Sequence, residues 1–305
     1  MKKIPIGSSN LVGSRLAYGC MRIAGDGSAS ARDGGRRAIH AALDAGYTVF
    51  DHADIYSGGA SESLFGEVMA ASPSLRDGLV IIGKCGIRLQ GNPDDNAPQR
   101  YDFSARHIVS SVEASLARLR IDRLDLLLLH RPDFLMRADE VAGAFERLHA
   151  AGKVGHFGVS NFSASQVELL QSVVERPLLV NQVEINIHNV DALTNGVLDQ
   201  CQRVGMTPQA WCPVAGVAYP AWGNTFSADD DARIRRELDR QQARYKVSAS
   251  QVALAWLLRL PAVVMPIIGS TTPERIAGAV AALDVDYARE DWYRLLEARN
   301  GAPVP

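Results

Sequence analysis

The stretch VFDHADIYSGGASESLFGEVM, Val49 to Met69, decides the fold. It opens as an apolar strand and leaves that strand through Asp51, His52, Asp54 and Tyr56. It then continues as SESLFGEVM, an amphipathic helical pattern. A buried strand followed at once by a helix is one unit of a parallel α/β fold.

Working outward, the same unit recurs along the chain. RLAYGCM (15–21) precedes DGGRRAIHAALDAG, and YTVFDHAD (47–54) precedes SESLFGEVMAA. LVIIGKCG (79–86) precedes SARHIVSSVEASLARLR, after an irregular stretch rich in Gly, Asn, Asp and Pro. LDLLLLH (124–130) precedes ADEVAGAFERLHAAG, and VGHFGVSNF (154–162) precedes SASQVELLQSVV. LLVNQVEI (178–185) precedes DALTNGVLDQCQRVG, TPQAWCPV (207–214) precedes a longer helical region, and VVMPIIG (263–269) precedes TPERIAGAVAAL. Gly46, Gly152 and Gly205 each stand where a helix C-cap needs positive φ. Eight units with near-continuous apolar strands predict an α/β fold of the (β/α)8 TIM-barrel type. An open doubly wound sheet is disfavoured because no G-x-G-x-x-G follows any strand. IPIGSSNLVG reads as a short N-terminal hairpin and REDWYRLLEARN as an extra C-terminal helix. No linker or internal repeat divides the chain, so a single barrel domain over 1–305 is expected.

Composition narrows the partners. Thirty-two basic and 34 acidic side chains give a net charge of −2, which offers no electrostatic footprint for nucleic acid or an anionic membrane. The most apolar run, LAWLLRLPAVVMPIIG, is interrupted by Arg259, Pro261 and Pro266 and is unsuited to a membrane span. MKKIPIGSSN has no apolar h-region, so a secretory signal is not expected. Cys20, Cys85, Cys201 and Cys212 show no C-x-x-C pairing and read as free buried thiols of a cytoplasmic protein.

In a barrel of this kind the chemistry lies at the carboxyl ends of the strands. Asp51 ends the second strand, with Tyr56 in the loop behind it; Lys84 ends the third and His130 the fourth. Singly, each has a structural explanation: a turn cap, a ring over the barrel mouth, a snorkelling lysine, a hydrogen-bonded core histidine. Together they place four titratable types on one rim, and a buried lysine is costly unless an acid faces it. Asp51 would hold Lys84 as an ammonium, and Lys84 would lower the Tyr56 phenol from its usual value near 10. Tyr56 would then donate a proton to a carbonyl oxygen that a neutral His130 orients. Such a site needs a reductant from elsewhere.

The motifs FDHADIY, GKCG, LLLLHRPD, GKVGHFGVSNF, NQVEIN, WCPVAG and PIIGSTTPER, in this order, resemble the aldo-keto reductase superfamily over nearly the whole chain. FDHADIYSGGASESLFGE and PIIGS resemble its bacterial oxidoreductase branch. The resemblance implies NADPH-dependent carbonyl reduction with the tetrad Asp51, Tyr56, Lys84 and His130. It implies that Ser160, Asn161 and Gln182 bond the nicotinamide carboxamide and that Trp211 stacks on the nicotinamide ring. Met21 and Arg22 would lie along the ribose side, and the loop of Cys212, Pro213, Val214 and Gly216 would hold the pyrophosphate. Ile268, Gly269 and Ser270 would meet the adenosine end, with backbone N–H groups at a helix start suited to a phosphate oxygen. Arg275 would meet a 2′-phosphate or stack on adenine, which favours NADP(H) over NAD(H). The chain departs from the family where many members carry a lysine in place of Gly269 and a Glu-Asn pair in place of Gly278-Ala279. NADP(H) preference is therefore expected to be moderate, with NAD(H) as the lesser alternative.

The expected partner is a small-molecule aldehyde or ketone, met by Tyr101, Arg131, Tyr219 and Trp222 on loops of the rim, with Arg88 and Arg131 able to meet an anionic substituent. A monomer or weak homodimer is the family habit. A second reading is an NADP(H)-binding redox-sensing accessory subunit with little turnover. A third, a metal-dependent barrel hydrolase, lacks an H-x-H pair on the first strand and leaves His52 and His188 isolated, so no metal is expected.

Overall fold

The computed structural model describes residues 1–221 and 226–305. Its strands are β1 (Lys3–Pro5), β2 (Val12–Ser14), β3 (Ala17–Gly19), β4 (Val49–Asp51), β5 (Val80–Cys85) and β6 (Ile87–Arg88). They continue as β7 (Arg100–Tyr101), β8 (Leu124–Leu129), β9 (Val154–Ser160), β10 (Leu178–Glu184), β11 (Thr207–Trp211) and β12 (Met265–Ile268). Eight of them close a barrel in the order β10-β11-β12-β3-β4-β5-β8-β9, every pair parallel, as the strand–helix alternation predicts.

Two apolar layers hold the barrel. Inside, Val49, Val80, Ile82, Leu126, Leu128, Val180 and Met265 pack together. Ile4 and Ile6 join this inner layer, so the β1–β2 hairpin plugs the N-terminal end of the barrel. A fully buried Ile or Leu contributes about 1.5–3 kcal/mol. Outside, Phe50, Phe65, Ile108, Leu127, Phe145, Phe157 and Leu254 bind the strands to the helices.

Local chemistry sets the helix ends. Ser28, Ser104, Ser163, Ser227 and Ser248 cap helices through their hydroxyls, each cap worth about 0.5–2 kcal/mol. The Ser28 cap starts the first helix at Ala29, ahead of the Asp33 read from sequence. Gly46, Gly152 and Gly205 adopt φ of 84°, 69° and 69°, as their C-terminal positions require. The region 191–205 divides into a 3-10 turn at Asp191–Leu193 and a helix at Val197–Val204. The long region after β11 carries helices at Ala228–Tyr245 and Ala249–Leu258, and the last helix spans Arg289–Asn300. The irregular stretch after β5 holds an unforeseen antiparallel hairpin, β6 with β7. No described helix is long and apolar enough to cross a membrane.

Strand register brings the candidate site residues level. Asp51 lies opposite Ile82, Lys84 opposite Leu128, Ser160 opposite Gln182, and Glu184 opposite Trp211.

Candidate active site

A cleft of about 470 Å³ opens at the carboxyl ends of the strands. At its floor Lys84 is buried, and its ammonium donates to Asp51 Oδ2 at 2.7 Å, to the His52 carbonyl at 2.9 Å and to the Tyr56 hydroxyl at 3.1 Å. Those three bonds use its three hydrogens. Burial opposes the ammonium, but the Asp51 carboxylate outweighs it together with Tyr56, and the Lys84 pKa moves up. Lys84 is therefore charged at neutral pH.

Asp51 is held from its other side. Gln182 Nε2 donates to Asp51 Oδ1 at 2.9 Å and to Gln209 Oε1 at 3.0 Å. Gln209, on β11 and fully buried, carries this polar layer further into the barrel by donating to Met265 Sδ at 3.4 Å. Sequence reading missed Gln209, whose only mark is a polar residue inside an apolar strand.

The Tyr56 phenol is pushed up by burial, which exceeds the pull of Lys84 in the opposite direction. This corrects the expectation that Lys84 brings it down: desolvation of a phenolate in a dry site is the larger effect. Tyr56 thus stands as a neutral O–H donor. The His130 ring meets the Tyr56 ring edge-to-face, 6.0 Å between centroids. Burial, with help from Lys84 and Arg131, holds the imidazole well below its ordinary pKa, so it is neutral.

The opposite wall is built from β9, β10 and β11. Ser160 Oγ donates to the Gln182 carbonyl at 2.8 Å. Asn161, at φ 62°, donates to the His130 carbonyl at 3.2 Å and to Ser160 Oγ at 2.9 Å. It accepts from Trp211 Nε1 at 2.9 Å, and so holds both His130 and the indole in place. The Gln182 and Asn161 amide hydrogens are thus engaged within the protein, leaving acceptor capacity on Gln182 Oε1 toward the cleft.

Met21, Arg22, Arg131, Cys212, Tyr219 and Gly269 also line the cleft, as does Ser160. Cys212 is only half-buried, unlike the buried thiols of Cys20, Cys85 and Cys201; this corrects the expectation for the fourth cysteine. Cys212 begins a tight turn in which its carbonyl accepts from Ala215 N and the Tyr219 carbonyl accepts from Gly216 N. Pro213, Val214, Gly216, Ile268, Ser270 and Arg275 lie outside the lining of this cleft. The helix after β12 begins only at Pro273, so the N–H groups of Gly269 and Ser270 precede it rather than open it. A Cβ added at Gly269 would meet only Arg22, at 3.5 Å, which leaves its backbone open to close approach. Arg275 is exposed on the short helix Pro273–Gly278.

Of the substrate candidates, Arg131 and Tyr219 face the cleft. Tyr101 pairs with Ile87 in the β6–β7 hairpin and does not line it. Arg88 donates to Asp102 at 2.6 Å and is turned from the cleft. Trp222 lies outside the described residues. Gly19 and Ser57 also line the cleft, with Ile55, Ile87 and Ile267, whose apolar side chains leave no signal in a sequence. Among the described residues, no three His, Cys, Asp or Glu side chains group as metal ligands.

A closed parallel barrel with an aspartate, a buried lysine, a tyrosine and a neutral histidine gathered at its carboxyl rim is the frame of a barrel oxidoreductase. The aldo/keto reductase family model matches residues 15–300. The chain is 44% identical over 264 residues to the Escherichia coli oxidoreductase YdhF, covering 86% of each protein. It is 39% identical over 307 residues to the 6-dehydroglucose reductase of Agrobacterium fabrum, covering 100% of each. The glycerol dehydrogenase AKR11B4 of Gluconobacter oxydans superposes with a TM-score of 0.84 at 25% identity, over 99% of this chain and 97% of that one. The chain belongs to the aldo/keto reductase family and is an oxidoreductase.

Proposed function

We propose that this chain reduces an aldehyde or ketone to an alcohol with NADPH, Tyr56 acting as general acid. The observation that carries this reading is the contact of the Lys84 ammonium with both Asp51 and the Tyr56 hydroxyl at the floor of the cleft. The residues present fit a nicotinamide cofactor: Trp211 offers an indole face, Gln182 Oε1 an acceptor, Gly269 an unobstructed backbone, and Arg275 an exposed cation. When bound, that cofactor supplies the hydride to the carbonyl carbon.

The chain's own residues supply the rest. Tyr56, protonated at neutral pH, donates its hydrogen to the carbonyl oxygen. The phenolate left behind is stabilised by the Lys84 ammonium, whose position Asp51 and the His52 carbonyl maintain. Neutral His130 hydrogen-bonds the same oxygen and orients the carbonyl. Asn161 fixes Trp211 and His130 with respect to one another. The exposed Arg275 supports a moderate preference for NADPH over NADH.

Consumption of NADPH, and separately of NADH, across aldehydes, diketones, quinones and sugars tests the proposal. Carbonyl-dependent NADPH oxidation is expected, with Tyr56→Phe and Lys84→Met losing roughly 10²–10⁴-fold in kcat while still binding cofactor. Near wild-type reduction by both variants overturns the assigned roles. Tight cofactor binding with no turnover on any carbonyl points instead to a redox-sensing accessory subunit.

A further inference from the structure

The cleft carries a cation that proton transfer leaves unused. Arg131 follows His130 directly, lines the cleft and is half-buried. Its guanidinium carbon lies over the Trp211 ring, 5.8 Å from the centroid. The charged groups around it are engaged elsewhere. Asp51, the single carboxylate among the described residues lining the cleft, is paired with Lys84. Asp133, two residues further on, accepts from the backbone N–H groups of Phe103 at 3.0 Å and Leu135 at 2.9 Å. Arg88 is paired with Asp102. Arg22 reaches the Gly269 carbonyl at 3.4 Å and covers the Tyr219 ring at 5.3 Å. Arg131 has no carboxylate within ion-pair distance among the described residues.

A guanidinium drawn partly out of water without a counter-ion is stabilised when an anion arrives, and its planar fork matches a carboxylate in a bidentate bond. Its guanidinium carbon lies within cation–π range of the Trp211 ring, which holds that fork beside the indole. We propose that Arg131 is the specificity-determining residue of this site and selects carbonyl substrates that bear a carboxylate. This rests on the reading of Tyr56 as the site of carbonyl reduction. Arg131 takes no part in moving hydride or proton; it holds the carboxylate so that the carbonyl oxygen reaches Tyr56 and His130.

The test compares para-carboxybenzaldehyde with its neutral isostere para-formylbenzamide in NADPH-dependent steady-state kinetics. In the wild type, kcat/KM for the anion is expected to exceed that for the amide by roughly tenfold or more. Arg131→Met should remove that preference, KM for the anion rising far more than KM for the amide, and Arg131→Lys should keep part of it. A wild-type ratio near one, or a ratio unchanged in Arg131→Met, overturns the proposal. So does an equal loss on both substrates, which would mark Arg131 as a prop for Trp211. If Arg131→Met fails to fold, Arg131→Lys and the salt dependence of the wild-type ratio decide, because an ion pair weakens with ionic strength and an amide contact does not. If neither aldehyde is reduced faster by wild type than by Tyr56→Phe, the reading of reduction has failed. Calorimetric binding of para-(hydroxymethyl)benzoate, wild type against Arg131→Met, then judges Arg131 by itself: equal affinities overturn the proposal.

Discussion

Replacing Asp54 by asparagine should stabilise the protein at alkaline pH and do nothing for it in mild acid. Asp54 leaves β4 two residues ahead of Tyr56, and its Oδ1 is buried without a hydrogen-bond partner. Burial is the largest influence on it, followed by the charge of Glu62, which is itself fully buried. The Ser111 hydroxyl, the Arg118 guanidinium and the Ile55 N–H oppose both effects, and Arg118 is already bonded to Glu62 at 2.7 Å. The outcome is a carboxyl pushed from 3.8 up to about 7. The sign follows from proton binding: the folded state holds this proton more tightly than the unfolded chain. The contribution of Asp54 to stability is therefore greatest below its unfolded pKa, falls as pH rises through the window between 3.8 and about 7, and is level above it. At 1.36 kcal/mol per pH unit the full window amounts to about 4 kcal/mol, and relaxation toward water reduces the measurable part to about 2–4 kcal/mol. Asp54→Asn keeps the shape and abolishes the titration. Urea unfolding followed by circular dichroism should find the variant more stable than wild type by that amount near pH 8. The gap should narrow steadily toward about pH 4. A difference independent of pH, or a gap over wild type that shrinks as pH rises, would refute the reasoning.

Three further outcomes are expected. Asp51→Asn leaves Lys84 as a buried ammonium without its counter-charge, so unfolding free energy should fall by about 3–5 kcal/mol in a denaturant titration, or Lys84 should lose its proton at neutral pH. Gly66→Ala should cost about 1–3 kcal/mol in the same assay, since its Cβ would sit 2.3 Å from the Arg118 carbonyl oxygen where two helices meet. Trp211→Phe removes the donor to Asn161 at 2.9 Å and the larger ring beneath Arg131, and should raise the dissociation constant of NADPH in a fluorescence titration roughly threefold to thirtyfold.

The strand–helix rhythm was legible because buried parallel strands and amphipathic helices leave opposite periodicities, and all eight barrel strands lie within the stretches read for them. Helix starts moved where a cap serine lay several residues upstream, as at Ser28. The β6–β7 hairpin escaped notice because strands of two residues carry no period. In the site, the tetrad was visible as ionisable residues interrupting apolar strand ends. The contacts around it were not visible: Gln209 touches Gln182 across 27 residues, and Arg131 reaches Trp211 from a different strand end.

Sequence alone determined the barrel, the rim on which the candidate residues gather, and the residue types available there, since each depends on local pattern or on polar groups placed where a core should be. Tertiary structure decided the protonation states and the allegiances. Tyr56 is raised rather than lowered because desolvation is a property of everything packed around it, and no neighbour in the chain records that sum. Arg88 and Arg131 look alike in sequence, yet one is paired with Asp102 and the other faces the cleft with no carboxylate in ion-pair distance among the described residues. Charge becomes function only once the fold has settled which charges are paired.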